Sequence, residues 1–217
     1  MKKSRALLFA GFIVPLTPSA SWKTITYDKI KPSEIMFSGQ KLQIKVKSSA
    51  SPVIYKFPTP SRIARLTCSG RLDALPSMNS AGVQGDAKSD DFALRVGLVL
   101  AGTRKLNGFE RLFAPQWVKD LQRFYSETQF GFGGLQLFLL ANAPGPAWET
   151  RVHPKSSLIR EQIIQRLSAP GDFSLKFDIP DSNQKVLGLW VGADGDDTKS
   201  TFSIDIDRLE VEFKSPP

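Results

Sequence analysis

The chain has 217 residues, 41% of them hydrophobic and 23% charged, with a formal net charge of +8 and a single cysteine. This length buries one core of ordinary size, and the composition excludes both a disordered chain and a membrane bundle. With only Cys68 and His153 of their kinds, neither an intrachain disulfide nor a zinc site built on several Cys and His ligands is available.

Lys2, Lys3 and Arg5 precede an apolar run from Ala6 to Leu16, which Thr17-Pro18-Ser19-Ala20-Ser21 closes. A basic start, a short apolar stretch and small residues describe a secretory leader. Cleavage is expected after Ser21, leaving one domain over 22–217. The run is too short to span a bilayer, and Pro15 interrupts it. No cysteine follows the expected cut, so no lipid anchor is expected, nor is any transmembrane segment in the processed chain. The periplasm is the expected location, with secretion as the alternative. Losing Lys2, Lys3 and Arg5 takes the formal charge from +8 to +5 without leaving a dense basic cluster, so nucleic acid is not an expected partner.

Trp22 to Tyr27 is β-prone, and 29–40 looks like loop. Leu42, Ile44 and Val46 alternate with Lys41, Gln43, Lys45 and Lys47, a strand with one solvated face. Val53 to Phe57 is a further strand, stopped by Pro58 and Pro60, and Arg62 to Leu75 is a long alternating one. Cys68 falls on the apolar phase there and reads as a small core residue. The central strand is Phe92 to Leu100. Its even positions are apolar throughout, while its odd positions are Ala93, Arg95, Gly97 and Val99. A guanidinium among small apolar residues needs solvent or a carboxylate partner, so Arg95 is placed on the outer face or in a groove.

Residues 103–133 break the rhythm and form an expected insertion, with a helix from Pro115 to Tyr125. Leu135 to Ala141 is apolar on both faces and therefore deeply buried. The stretch 158–167 reads as helix or strand, with Ile159, Ile163 and Leu167 favouring helix. Phe173 to Ile179 and Val186 to Val191 are strands. Phe202, Ile204 and Ile206 alternate on one parity and Leu209, Val211 and Phe213 on the other, a slip that predicts a β-bulge at Asp207-Arg208. The expected fold is all-β with minor helices: a β-sandwich of jelly-roll type, of the galactose-binding or concanavalin-like architecture.

Ser89 to Val96, with its Asp90-Asp91-Phe92-Ala93-Leu94-Arg95-Val96 run, and the later Gly188-Leu189-Trp190-Val191-Gly192-Ala193-Asp194-Gly195-Asp196-Asp197-Thr198 resemble an exported bacterial family catalogued only as a domain of unknown function (number three thousand and forty-seven). In that family a DDFA-x-R-V-type strand precedes an acidic loop near the C-terminus. The likeness covers roughly 46–213 and departs over 103–133, which is longer and less rich in tryptophan. It implies a periplasmic jelly roll and no established activity.

Asp194 to Ser200 invites a calcium reading, because hard cations gather several oxygens. An EF-hand loop starting at Asp194 needs Gly and Glu where Lys199 and Asp205 stand, so that pattern is excluded. A non-EF calcium stays open beside a solvated turn, and no other cofactor is expected. Arg95, Asp90, Asp91 and the loop residues Asp194 and Asp196 could gather at one end of the sandwich, either as a structural ion pair or as an anchor for sugar hydroxyls or a carboxylate. Trp148, in a Pro/Gly-rich loop, is the aromatic best placed for stacking on a sugar, with packing against the sandwich as the alternative, whereas Trp117 and Trp190 read as core. The expected ligand-binding set is therefore Asp91, Arg95, Trp148, Asp194 and Asp196. His153 sits in Val152-His153-Pro154 with no G-x-S-x-G elbow elsewhere, so no serine triad is expected. Paired-carboxylate chemistry needs only Asp and Glu; Glu110, Glu127, Glu149 and Glu161 are available, with no spacing that selects a pair. The sequence thus points to a non-catalytic binding protein for a glycan or an envelope component. The alternatives are a carboxylate-dependent glycan-active enzyme and a scaffold for another protein, which would need a broad exposed apolar patch.

Overall fold

The computed structural model describes residues 10–78, 82–103, 114–126, 128–180 and 183–214. Glu110, Glu127 and 104–113 of the expected insertion lie outside them. Two sheets pack face to face. The first runs in the order β11 (Gly171–Asp178), β6 (Ile63–Leu72), β13 (Thr201–Phe213), β4 (Lys41–Lys47) and β3 (Glu34–Ser38). β1 (Ala10–Ile13) shares the β4 edge of β13, at Glu210 to Phe213. The second runs β2 (Trp22–Thr24), β5 (Val53–Ser61), β12 (Val186–Gly192), β7 (Leu94–Gly102), β8 (Gly131–Asn142), β10 (Ile159–Leu167) and β9 (Thr150–Val152). Strands β4, β5, β6 and β7 alternate between the sheets, and the returning chain pairs β8 on β7, β11 on β6, β12 on β5 and β13 on β4. Antiparallel pairs nested and wrapped in this way make a jelly roll.

The core between the sheets comes from the alternation. Leu42, Ile44 and Val46 meet Val53, Tyr55 and Phe57 across it, together with Leu94, Val96 and Leu98. The expected bulge is present: the register of β13 on β6 shifts between Ile206 and Arg208, which returns Leu209 and Val211 to the same core. Cys68 is fully buried there, and burial pushes its thiol up to about 12.

Four segments differ from expectation. The 158–167 stretch is a strand, β10, parallel to β8 and antiparallel to β9. A spacing of four satisfies period two as well as a helical face, and β-branched Ile159, Ile163 and Ile164 favour the extended form. The 29–40 loop contains β3. Strand β5 continues through Pro58 and Pro60, because its pairing with β12 slips between Lys56 and Ser61 and asks for no N–H there. Finally, the structure builds 10–21, the second half of the expected leader, into the sandwich. Val14 and Leu16 are buried in the core, Val14 N–H donates to Leu209 O at 2.8 Å, and Trp22 Nε1 donates to Pro15 O at 2.8 Å.

The outer face of the second sheet is apolar too. Helix α1 (Gln116–Phe124), with Pro115 at its N-cap, lays Leu121 and the adjoining Tyr125 on Val99, Leu137, Leu139 and Leu187. Strands β7, β8 and β12 thus lie between two apolar layers, which is why they lack a polar phase. No helix among the described residues is long and apolar enough to cross a membrane.

Candidate functional site

Arg95 occupies the outer phase of β7 with Val99 and Ala101 and is 8% exposed. Each of its three nitrogens is engaged. Nε donates to Asp194 Oδ2 at 3.0 Å, Nη1 to Glu161 Oε1, and Nη2 to Asp90 O at 2.6 Å, with Asp90 Oδ1 at 3.5 Å. The Phe92 ring lies 4.6 Å beneath the guanidinium. Glu161 is buried on β10 directly opposite Arg151 on β9, and Arg151 Nε donates to Glu161 Oε2 at 2.6 Å. Arg151 also donates to Asp90 Oδ1 and Gly85 O. One buried carboxylate therefore joins two guanidinium forks, a geometry Lys could not reproduce.

His153 follows β9. Its Nδ1 accepts Lys155 N–H at 3.1 Å, so the proton sits on Nε2 and is donated to Asp90 Oδ2 at 3.1 Å. Burial acts to raise the Asp90 carboxyl, but His153, Arg95 and Arg151 together hold it well below the usual carboxylate range. Asp194 behaves oppositely. Burial raises it well above that range, and Arg95, shared among three carboxylates, opposes the rise only in part.

Asp91 points away from this network. It is 1% exposed and accepts hydrogen bonds from Asp197 N–H (3.2 Å), Thr198 N–H (2.7 Å) and Thr198 Oγ1 (2.6 Å). It thereby fixes the shape of the acidic loop from below. Asp194 locks the same loop to the central strand through Phe92 N–H at 2.9 Å. Of the three carboxylates in the calcium reading of the 194–200 loop, Asp194 has both oxygens accepting protein donors and Asp197 has one accepting Asp90 N–H at 3.2 Å. Asp90, His153 and Glu161 do bring ligand atoms within 4.8 Å of one another. A divalent cation there would sit against two fixed guanidinium groups, so this set does not fit a metal.

Beside the network opens a cavity of about 270 Å³, at the small end of ligand pockets. Its aromatic walls are Tyr27, Trp117 and Trp190, and the two indoles meet edge to face with centroids 6.3 Å apart. Burial, and secondarily Asp194, keeps the Tyr27 phenol above its ordinary value and therefore protonated. Asp90, Arg95, His153 and Asp194 form one flank, and Lys155, Asp196 and Asp197 the rim. Among the described residues, Lys155, Asp196 and Asp197 form no ion pair.

Of the expected set, Arg95, Asp194 and Asp196 line the cavity, while Asp91 and Trp148 do not. Trp148 packs on Phe92 at 6.2 Å and beneath Arg151 at 4.2 Å. Gly85, at φ +91°, passes so close that a Cβ would meet the Trp148 ring at 3.0 Å. Trp117 and Trp190 belong to the outer apolar layer, as their core reading from sequence holds, and they also line the cavity. Glu161, Arg151 and His153 were not selected from sequence, yet one signal was there. Glu161 shares its phase with Ile159 and Ile163, as Arg95 does with Val99 and Ala101, and two opposite charges each embedded in an apolar phase are natural partners.

No family model and no curated protein matches the chain. Among solved structures it is similar to the xylan-binding module CBM15, at 12% identity and a TM-score of 0.41, over 96% of this chain and 99% of that one. It is also similar to PfGH50B, at 8% identity and a TM-score of 0.34, over 97% of this chain and 24% of that one. Neither likeness bears on the chemistry of the cavity.

Proposed function

We propose that this chain is a non-catalytic carbohydrate-binding protein and that the cavity beside Arg95 is its binding site. One observation carries the proposal: two indoles and a phenol share a small opening with Asp196, Asp197 and Lys155, charged groups that meet no ion-pair partner among the described residues. A sugar ring presents apolar C–H faces and a rim of hydroxyls. Indoles suit the first, and carboxylates accepting from hydroxyls suit the second. Arg95 in this picture is not a ligand anchor, because it is buried and each of its three nitrogens is engaged within the protein. It sets the position of Asp194, and through it the loop that carries Asp196.

Asp90 and Asp194, the two most perturbed carboxyls of the flank, are held by the same guanidinium. Each is thereby tied to a permanent cation inside the protein, which suits a positioning role. Calorimetry against neutral, amino and uronic oligosaccharides tests the proposal. Trp117→Ala should weaken binding about tenfold or more, whereas Trp148→Phe should leave it unchanged. Silence across the whole panel, or release of reducing ends by the protein, overturns it.

A further inference from the structure

We infer that the cavity selects a sugar carrying a protonated amine over neutral and carboxylated sugars; this rests on the carbohydrate reading above. The first support is the distribution of charge. The chain as a whole is basic, at +8, yet the cavity is lined by Asp90, Asp194, Asp196 and Asp197 against only two permanent cations, Arg95 and Lys155. A basic protein that gathers its acids around one opening offers a locally negative potential to whatever enters.

The second support is which of those charges remain available. Every arm of the Arg95 guanidinium is engaged, by Asp194, Glu161 and Asp90. Arg151 is engaged in the same way behind it. No fork is left for a uronate carboxylate, and the one remaining lining cation, Lys155, is exposed at the rim. The acids divide differently. Asp90 and Asp194 are neutralised by the guanidinium groups, but Asp196 has no ion-pair partner among the described residues and is only partly exposed. Burial, followed by the neighbouring Asp91 and Asp197 charges, raises its carboxyl, and the Lys155 charge offsets that rise only in part. A ligand ammonium placed there supplies a closer counter-charge and three donors, and the indoles that line the same cavity attract a cation through their ring quadrupoles. A hydroxyl in the same place satisfies one acceptor and none of the charge.

The test is calorimetry on the full chain with four trisaccharides of matched length: a fully de-N-acetylated glucosamine oligomer, its N-acetylated form, a neutral xylose oligomer and a galacturonate oligomer. The glucosamine oligomer should bind about tenfold tighter than the N-acetylated and neutral ones, an advantage that shrinks with added salt. Asp196→Asn should abolish that advantage while leaving neutral-sugar binding in place. Lys155→Ala should tighten amine binding about two- to threefold. Should Asp196→Asn fail to fold by circular dichroism, Asp197→Asn is the second variant, since its side-chain oxygen can still accept Asp90 N–H. Equal binding of neutral and amino sugars, or tighter binding of the galacturonate, overturns the amine preference and leaves the carbohydrate reading standing. No binding by any of the four overturns both.

Discussion

The two faces of the second sheet carry the same backbone and obey different physics. On the inner face Leu94, Val96 and Leu98 meet the opposite sheet and need only volume and apolarity. On the outer face Arg95 shares its phase with Val99 and Ala101, and the site depends on three acceptors arriving from β10, the Asp90 turn and the Asp194 loop. The inner face tolerates replacement by residues of similar size, because dispersion and burial have no direction. The outer face does not: a buried fork with a missing acceptor is worse than no fork. Undirected packing and directed polar contact are thus divided between the two sides of one strand.

The sharpest test of the inner face is at the N-terminus. Strand β1 pairs with β13 over Ala10 to Ile13, and the Phe12 ring sits between Tyr55 (6.2 Å) and Phe213 (6.1 Å). A chain beginning at Trp22 loses Val14 and Leu16 from the core, each worth roughly 1.5–3 kcal/mol. Their sum, about 3–6 kcal/mol, rivals the whole stability of a domain this size. Such a chain should be soluble only in part and melt far below one starting before Ala10. Intact mass of the protein recovered from its own cells should show residues 10–21 still attached. Equal melting of the two forms would remove β1 from the inner core.

The corresponding test of the outer face is Glu161→Gln. It removes the charge shared by Arg95 and Arg151, and loss of one buried partner costs about 3–5 kcal/mol. Urea titrations should show that loss with an unchanged m-value. Glu212→Gln is the control: Glu212 pairs with Arg65 at the surface of the first sheet, where such a loss is about 0–1 kcal/mol. Similar losses for the two would mean that the network is no more than a surface feature.

The sequence disclosed the inner face far better than the outer one. Strands β4, β11 and β13 announce themselves by alternation, and the parity change after Ile206 locates the bulge, because period two records which residues point one way. It does not record what lies on the other side. Arg95 was legible as an outward charge, and Asp194 and Asp196 as an acidic loop. Their companions were not, because Arg151 and Glu161 lie on a hairpin whose isoleucines also fit a helical face. Trp190 is buried in the core, as its apolar strand suggests, and still borders the cavity, while Trp148 packs on Phe92 and does not line it. A tryptophan in a Pro/Gly-rich loop looks exposed and one in an apolar strand looks buried, yet α1 and the loops decide which indole meets the opening. Val14 and Leu16 were hidden because an apolar run after Lys2, Lys3 and Arg5 satisfies the rules for a leader as well as those for an edge strand.

Acid titration separates the two faces with the smallest effect, and its sign follows from two carboxyls on the outer face. Asp90 has a folded value below its unfolded one. Its contribution is therefore complete above the ordinary carboxylate range and is lost as pH falls from about 4 toward that lower value. Asp194 is raised, so the folded state binds its proton more readily than the unfolded chain does. Stability on its account grows as pH falls from the raised value toward about 4. The two together predict a shallow maximum in mildly acidic solution and a decline below about pH 4, read as the urea midpoint against pH. Asp194→Asn should flatten the limb on the neutral side and leave the acid limb in place, because Asp90 keeps His153 and Arg151. An acid limb unmoved by Asp90→Asn would assign the decline to carboxylates elsewhere, and the outer face would then contribute to the fold without governing its response to pH.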